Sequence, residues 1–264
     1  MDTGVYPQAA RLSPQRGDRN RSLERGITLL QAFKPGADLL GNGELAERTG
    51  LSRATVSRLA QTLVDNGMLE HDRRRRAYRL AAPVLSLAHA MRSGSPVLQL
   101  ASPWMRSEAE QRKINVGLAV ADGDEMVYLE SVRYSRRVAW RNVVAGQRVP
   151  MELTSLGRAW LAAAPEETRR GLMVRFRARR ASGWRDLARE IDAAIASVDQ
   201  HGYCWAAWQP QVVALATPVV VVDHPIYVLN MSITGDAGAE EVVDRLSAPL
   251  LSLGRRLQDA ISHL

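Results

Sequence analysis

The chain has 264 residues with 46% hydrophobic residues, and 35 Lys or Arg against 28 Asp or Glu give a formal net charge of +7. That length favours two domains, and the apolar fraction is enough to fill two cores. No apolar run approaches the roughly 20 residues that span a bilayer, the opening MDTGVYPQAARLSPQRGDRNR lacks the apolar core of a signal peptide, and Cys204 is the single cysteine. A cytoplasmic protein without membrane association, intrachain disulfide or thiolate metal cluster is therefore expected. The charge is uneven: residues 1–95 carry 15 basic and 9 acidic residues, whereas residues 96–264 carry 20 and 19. The excess marks the N-terminal third as the part that meets a polyanion.

Residues 1–20 are polar and aperiodic and read as a disordered arm. A helix is predicted from Ser22 to Phe33 with Leu23, Ile27, Leu30 and Phe33 on one side. After KPGADLLGNG, the segment GELAERTGLSRATVSRLAQTLVDNGMLEHD places Leu45, Ala46, Leu51, Val56, Leu59 and Leu63 at helical spacing on buried faces. Gly50 falls where the first helix must stop and the chain reverse. Ser52 is in position to cap a second helix beginning near Arg53. With Val56, Leu59 and Leu63 assigned to the core, helical geometry leaves Arg53, Thr55, Ser57, Arg58 and Gln61 on or beside the opposite face. The segment MLEHDRRRRAYRLA then alternates around a turn as the two strands of a wing, with Arg73, Arg74, Arg75 and Arg76 at its tip and Arg79 on the returning strand. Pro83 to Met91 reads as a further helix and RSGSP as a hinge. The domain boundaries expected are 1–20 for the arm, 21–80 for a winged helix-turn-helix, 81–95 for a linker helix and hinge, and 96–264 for a second domain.

That second domain mixes helices and strands. A helix to about Arg112 leads into NVGLAVADGDEMVYLESV, where Asp122-Gly123 between two alternating runs signals a hairpin. Further strands are expected at 138–144, 203–208, 212–222 and 227–234, and helices at 153–163, 184–200 and 240–262. The order suggests an α+β fold of the GAF and PAS class, a sheet floor with a pocket above it. Trp205 and Trp208, three apart on a strand, should face opposite sides, so that one can line the pocket. Arg133, Arg141 and Arg148 are candidates to fix a carboxylate by a bidentate contact.

Catalysis has little support in the residues. His71, His89, His201, His224 and His263 show no paired ligand spacing, so no metal is assigned. His201 and Cys204 are close in sequence, but nothing supplies an orienting third group or an oxyanion loop. No Gly-rich loop follows a strand, and no cofactor is assigned.

The succession SLERGITLLQAF, ELAERTGLSRATVSRLAQTLVDNGMLEHD, RRRAYRL, GQRVPM with TSLGRAWLA, GYCW and LNMSITG resembles the isocitrate-lyase-regulator family of bacterial transcription factors over residues 21–264. The resemblance implies a winged helix-turn-helix, a linker helix and a C-terminal effector-binding and oligomerisation domain, assembled as a dimer or a dimer of dimers. It also implies a pocket for small organic acids, formed here by Met151, Ser155, Leu156, Ala214, Ser232 and Thr234. The chain departs from the family pattern at three places: Trp205 to Trp208 where acidic residues are usual, Ala214 where cysteine is common, and Glu152 where histidine is frequent. Less negative charge and more aromatic area, with Trp205 or Trp208 added, point to an aromatic or apolar acid as effector.

The expected function is a ligand-responsive repressor or activator of a catabolic operon, binding a double-stranded operator through Ser52, Arg53, Thr55, Ser57, Arg58 and Gln61 with wing contacts from Arg73 to Arg76 and Arg79. Two alternatives stay open at this point. The second domain either serves oligomerisation alone, or it is a small-molecule enzyme attached to a silent helix-turn-helix.

Overall fold

The computed structural model describes residues 20–34, 36–134, 144–180 and 182–264. The arm expected at 1–20, apart from Asn20, lies outside these residues, as does nearly all of the strand expected at 138–144. The chain divides into two compact units that meet between Gly94 and Ser95.

In the N-terminal unit, α1 (Arg21–Gln31) starts at Asn20, whose Oδ1 accepts hydrogen bonds from the backbone of Ser22 and Leu23. Strand β1 (Leu40–Gly41) leads directly into α2 (Asn42–Thr49), which ends at Gly50 with φ 69°. This left-handed turn carries little penalty in a residue without Cβ. Helix α3 (Arg53–Asp65) follows, and β2 (Leu69–Asp72) and β3 (Ala77–Leu80) form an antiparallel hairpin. The sheet order is β1-β3-β2. The core of Leu29, Phe33, Leu40, Leu45, Val56, Ala60, Leu69 and Tyr78 fixes α3 against α1 and α2. Fully burying each of the large side chains contributes about 1.5–3 kcal/mol.

The apolar side of the first helix is buried along only part of its length. Leu29 and Phe33 enter the core, whereas Leu23 is 63% and Ile27 47% exposed. The core reaches only the C-terminal half of α1, so its N-terminal apolar residues project to solvent. Helix α4 (Ala82–Ser93) has no buried residue and exposes Leu85, Leu87 and Met91.

The C-terminal unit opens with α5 (Pro96–Arg112) and the hairpin β4 (Asn115–Asp122) and β5 (Glu125–Arg133), turning at Gly123-Asp124. Then come β6 (Arg148–Pro150), α6 (Ser155–Ala163), α7 (Glu166–Arg179), α8 (Trp184–His201), β7 (Cys204–Gln209), β8 (Val212–Val219), β9 (Tyr227–Thr234) and α9 (Ala239–Ile261). The antiparallel sheet runs β6-β5-β4-β9-β8-β7. Its two faces follow from alternation. Val116, Leu118, Leu215, Leu229 and Met231 join the core that holds α5 and α9. Ala119, Tyr128, Ala216 and Val228 face a second core with residues of α6, α7 and α8. This is the α+β layering expected. Helix α7 was not predicted, because EETRRGLMVRFRAR buries only Leu172 and Phe176 and leaves no wide apolar stripe. Strand β6 is too short to announce itself.

Candidate nucleic-acid interface and ligand cavity

Helix α3 begins where the sequence places it. The Ser52 hydroxyl accepts from the Thr55 backbone at 3.2 Å and lies 2.9 Å from the Thr55 hydroxyl. With Val56 and Ala60 buried and Leu59 and Leu63 half-buried, Arg53, Ala54, Ser57, Arg58, Gln61 and Thr62 form one exposed face. Gln61 is steadied by a hydrogen bond from its Nε2 to Asp65 at 2.7 Å. Ala54 and Thr62, absent from the predicted set, belong to this face by their i±4 relation to Arg58.

In the wing, Asp72 organises the arginines. Its Oδ1 accepts from the Arg75 backbone at 2.9 Å and its Oδ2 pairs with Arg79 at 2.9 Å. The Arg75 amide, and the Arg79 charge beyond it, hold the Asp72 carboxyl below its ordinary value against some opposition from burial. Arg76 at φ 51° closes the tip, and Arg73, Arg74, Arg75 and Arg76 are all exposed. Among the described residues, Arg79 of the predicted set already pairs with a carboxylate, that of Asp72.

The C-terminal unit contains a cavity of about 520 Å³ on the sheet face shared with α6 and α8. Its floor is built from alternate residues of neighbouring strands. Gly117 pairs with Ser131 on one side and Asn230 on the other, and Asn115 pairs with Arg133 and Ser232 in the next row. Thr234, Tyr128, Gln209 at the end of β7 and Gln211 in the β7–β8 turn complete the polar part of the wall. Tyr128 is the aromatic side chain of the lining. Beside the cavity, the turn before α6 is clamped: fully buried Glu152 meets Arg180 at 3.1 Å and Arg179 at 3.4 Å, and its carbonyl accepts from Arg158 Nε at 3.1 Å.

Two family profiles match, one described as the IclR helix-turn-helix domain over residues 22–73 and one as the bacterial transcriptional regulator IclR C-terminal domain over residues 89–257. The chain belongs to the IclR family. It is a DNA-binding transcriptional regulator and not an enzyme. A curated relative, the HTH-type transcriptional regulator TsaQ1/TsaQ2 of Comamonas testosteroni, is 33% identical over 69% of this chain and 66% of its own length, about two thirds of that protein. The crystal structure of an IclR family regulator from Brucella abortus superposes with a TM-score of 0.83 at 31% identity, covering 94% of this chain and 96% of that one. An IclR homologue from Microbacterium hydrocarbonoxydans, crystallised with 4-hydroxybenzoate, shares the fold with a TM-score of 0.66 at 21% identity over 90% and 99% of the two chains.

Of the effector residues expected from the IclR resemblance, Ser232 and Thr234 line the cavity. Ala214 is the cross-strand neighbour of Ser232 but is buried outside the lining. Met151 and Leu156 are buried in the core, half-buried Trp208 packs against it, and Ser155 is buried with its carbonyl 3.5 Å from Cys204 Sγ. Trp205 and Trp208 do face opposite ways, Trp205 being 45% exposed on the edge strand β7. The aromatic wall comes from Tyr128 instead. Among the three candidate arginines, Arg133 lines the cavity and Arg141 lies outside the described residues. Arg148 is bound to Glu125 at 2.7 Å and Asp122 at 2.8 Å. Burial pulls its guanidinium down, but those hydrogen bonds and charges outweigh it and keep the pKa above the ordinary value.

Asn115, Gly117, Tyr128, Ser131 and Asn230 were not singled out in the sequence. For Asn115, Gly117 and Asn230 the signal is the polar or small residue at every second position of NVG and LNMSIT. The His201–Cys204 proximity also resolves. Burial pushes the Cys204 thiol up to about 12, so it is a neutral core group with no thiolate to attack anything.

Proposed function

We propose that this IclR-family protein is a ligand-responsive regulator of a catabolic operon, acting as a dimer or dimer of dimers, with a small aromatic acid as effector. The observation that carries the effector reading is the cavity, in which Arg133 offers a carboxylate partner, Ser232 and Thr234 offer hydroxyls, and Tyr128 offers a ring face. The 4-hydroxybenzoate bound by the Microbacterium homologue supports the same class. Met151, Ser155, Leu156, Trp208 and Ala214 then act as the packed support of the site. Ligand binding changes the spacing of the paired DNA-binding units through α4.

For the second copy, the support is apolar surface that the N-terminal unit does not cover: Leu23 and Ile27 on α1, and Leu85, Leu87 and Met91 on α4. One module also reads too few base pairs for useful specificity, which a dimer on a near-palindrome supplies.

On DNA, Arg53, Thr55, Ser57, Arg58 and Gln61 carry base and phosphate contacts, with Ser52 fixing the helix start. Arg73, Arg74, Arg75 and Arg76 hold the backbone, with Arg79 behind them. Replacing the four tip arginines by alanine is expected to weaken specific and unspecific duplexes alike. The slope of log affinity against log salt should also fall, by up to about 0.9 for each phosphate that is no longer neutralised. Titrations across salt concentrations that return the parent slope would make this run a solvated loop.

The effector reading is tested by melting the full-length protein with benzoate, 4-hydroxybenzoate, glyoxylate and pyruvate. An aromatic acid at 100 times its Kd should stabilise the domain that binds it by about 2.7 kcal/mol. Stabilisation by the aliphatic acids alone would overturn the aromatic assignment.

A further inference from the structure

The cavity floor contains a polar atom left without a hydrogen bond. Asn230 is 5% exposed and lines the cavity, and its Oδ1 meets no donor among the described residues. Buried amide oxygens are nearly always paired, because desolvating them without a donor costs free energy. The Asn230 side chain also acts on the Tyr128 phenol and favours its ionised form. Burial, the larger influence on that phenol, raises its pKa against the effect of Asn230, so Tyr128 stays protonated.

Gly117 is what allows this pair to stand on the sheet. A Cβ at that position would lie 2.4 Å from Asn230 Oδ1 and 2.5 Å from Tyr128 Cε1. The absence of a side chain at 117 thus preserves the acceptor and the phenol together. The torsion about the Cβ–Cγ bond of asparagine is broad, so the oxygen can turn toward a donor that enters.

Register fixes where such a donor would come from. The row Ser131–Gly117–Asn230 lies two residues along the strands from the row Arg133–Asn115–Ser232. Two residues advance about 7 Å, roughly one aromatic ring with a substituent at each end.

We propose, resting on the reading of this cavity as the effector site, that Asn230 is a specificity residue that selects acids bearing a hydroxyl. The carboxylate lies in the row of Arg133, and the hydroxyl donates to Asn230 Oδ1 while accepting from Tyr128. An acid without a donor at that end leaves the Asn230 oxygen unpaired and binds more weakly.

The test is calorimetric titration of the full-length protein with two matched pairs, 4-hydroxybenzoate with 4-methoxybenzoate and glycolate with methoxyacetate. In each pair the methyl ether keeps the oxygen and loses the proton. The parent protein should prefer the hydroxy acid by about tenfold or more in the aromatic pair, as expected of a site built to pair a hydroxyl. Asn230→Leu should bring that ratio to within about twofold if its melting temperature shows it folded. The comparison within the parent protein needs no variant, so a misfolded Asn230→Leu leaves the test intact.

Binding of both members of a pair with equal affinity, or an unchanged ratio in folded Asn230→Leu, would overturn the role of Asn230 and leave the effector site standing. A preference confined to the glycolate pair would keep Asn230 and overturn the aromatic reading. No heat from any of the four acids would overturn both.

Discussion

Gly157→Ala is expected to destabilise the C-terminal unit by about 3 kcal/mol or more, the upper end of what overpacking costs. A Cβ at Gly157 would stand 2.1 Å from the Met151 carbonyl oxygen, 2.3 Å from its Cα and 2.5 Å from its carbonyl carbon. These are backbone atoms, which cannot rotate away as a side chain can. The turn they belong to is also held. Thr154 Oγ1 accepts from the Gly157 backbone at 3.2 Å and donates to the Pro150 carbonyl at 2.9 Å, while Glu152 is pinned by Arg179 and Arg180. Relief of the clash therefore means pulling α6 from the sheet, and with it the support behind the cavity. In a domain of this size the loss corresponds to roughly 6–12 °C in melting temperature. Gly171→Ala is the internal control, because nothing lies within 4 Å of its Cβ and it sits inside α7. That variant should match the parent or gain up to about 1 kcal/mol. Differential scanning calorimetry of the two variants decides the matter, and a Gly157→Ala protein that melts with the parent would contradict the packing described.

Arg53→Ala and Arg58→Ala are each expected to weaken binding to a duplex selected by the parent protein from a random library. Removing a base or phosphate contact costs about 1–3 kcal/mol, or roughly 5- to 150-fold in affinity. Both side chains are exposed on α3 while Val56 and Ala60 anchor its opposite face, so melting temperature should not move. Fluorescence anisotropy at one salt concentration measures the effect. Parent-like binding by both variants would remove α3 from the role of recognition helix.

Much of this arrangement could be read from the chain because local and tertiary preferences agree. Ser52 caps α3 as its hydroxyl demands, Gly50 takes the left-handed turn, and the runs around Asp122-Gly123 pair as their alternation requires. Periodicity misleads where a tertiary partner decides the outcome. Leu23 and Ile27 have apolar spacing but lie beyond the reach of the N-terminal core, so spacing alone does not tell that they stay exposed. Trp205 to Trp208 stand out by composition, yet among the described residues of the edge strand β7 it is Gln209 that reaches the cavity, while Trp205 is exposed and Trp208 packs against the core. The cavity residues Asn115, Gly117 and Tyr128 sit on the β4–β5 hairpin, whereas Asn230 comes from β9, far along the chain. Their alternation is visible there, but only strand order and register bring them into adjoining rows.

Regulation requires that the two units be coupled, so that a ligand in the C-terminal cavity alters DNA binding by α3. The decisive measurement is titration of the full-length protein into its selected duplex with and without a saturating acid that calorimetry has shown to bind. A coupling free energy of about 1–3 kcal/mol should shift the apparent duplex affinity roughly 5- to 150-fold, in either direction. An acid that fills the cavity and leaves duplex affinity unchanged would contradict this coupling.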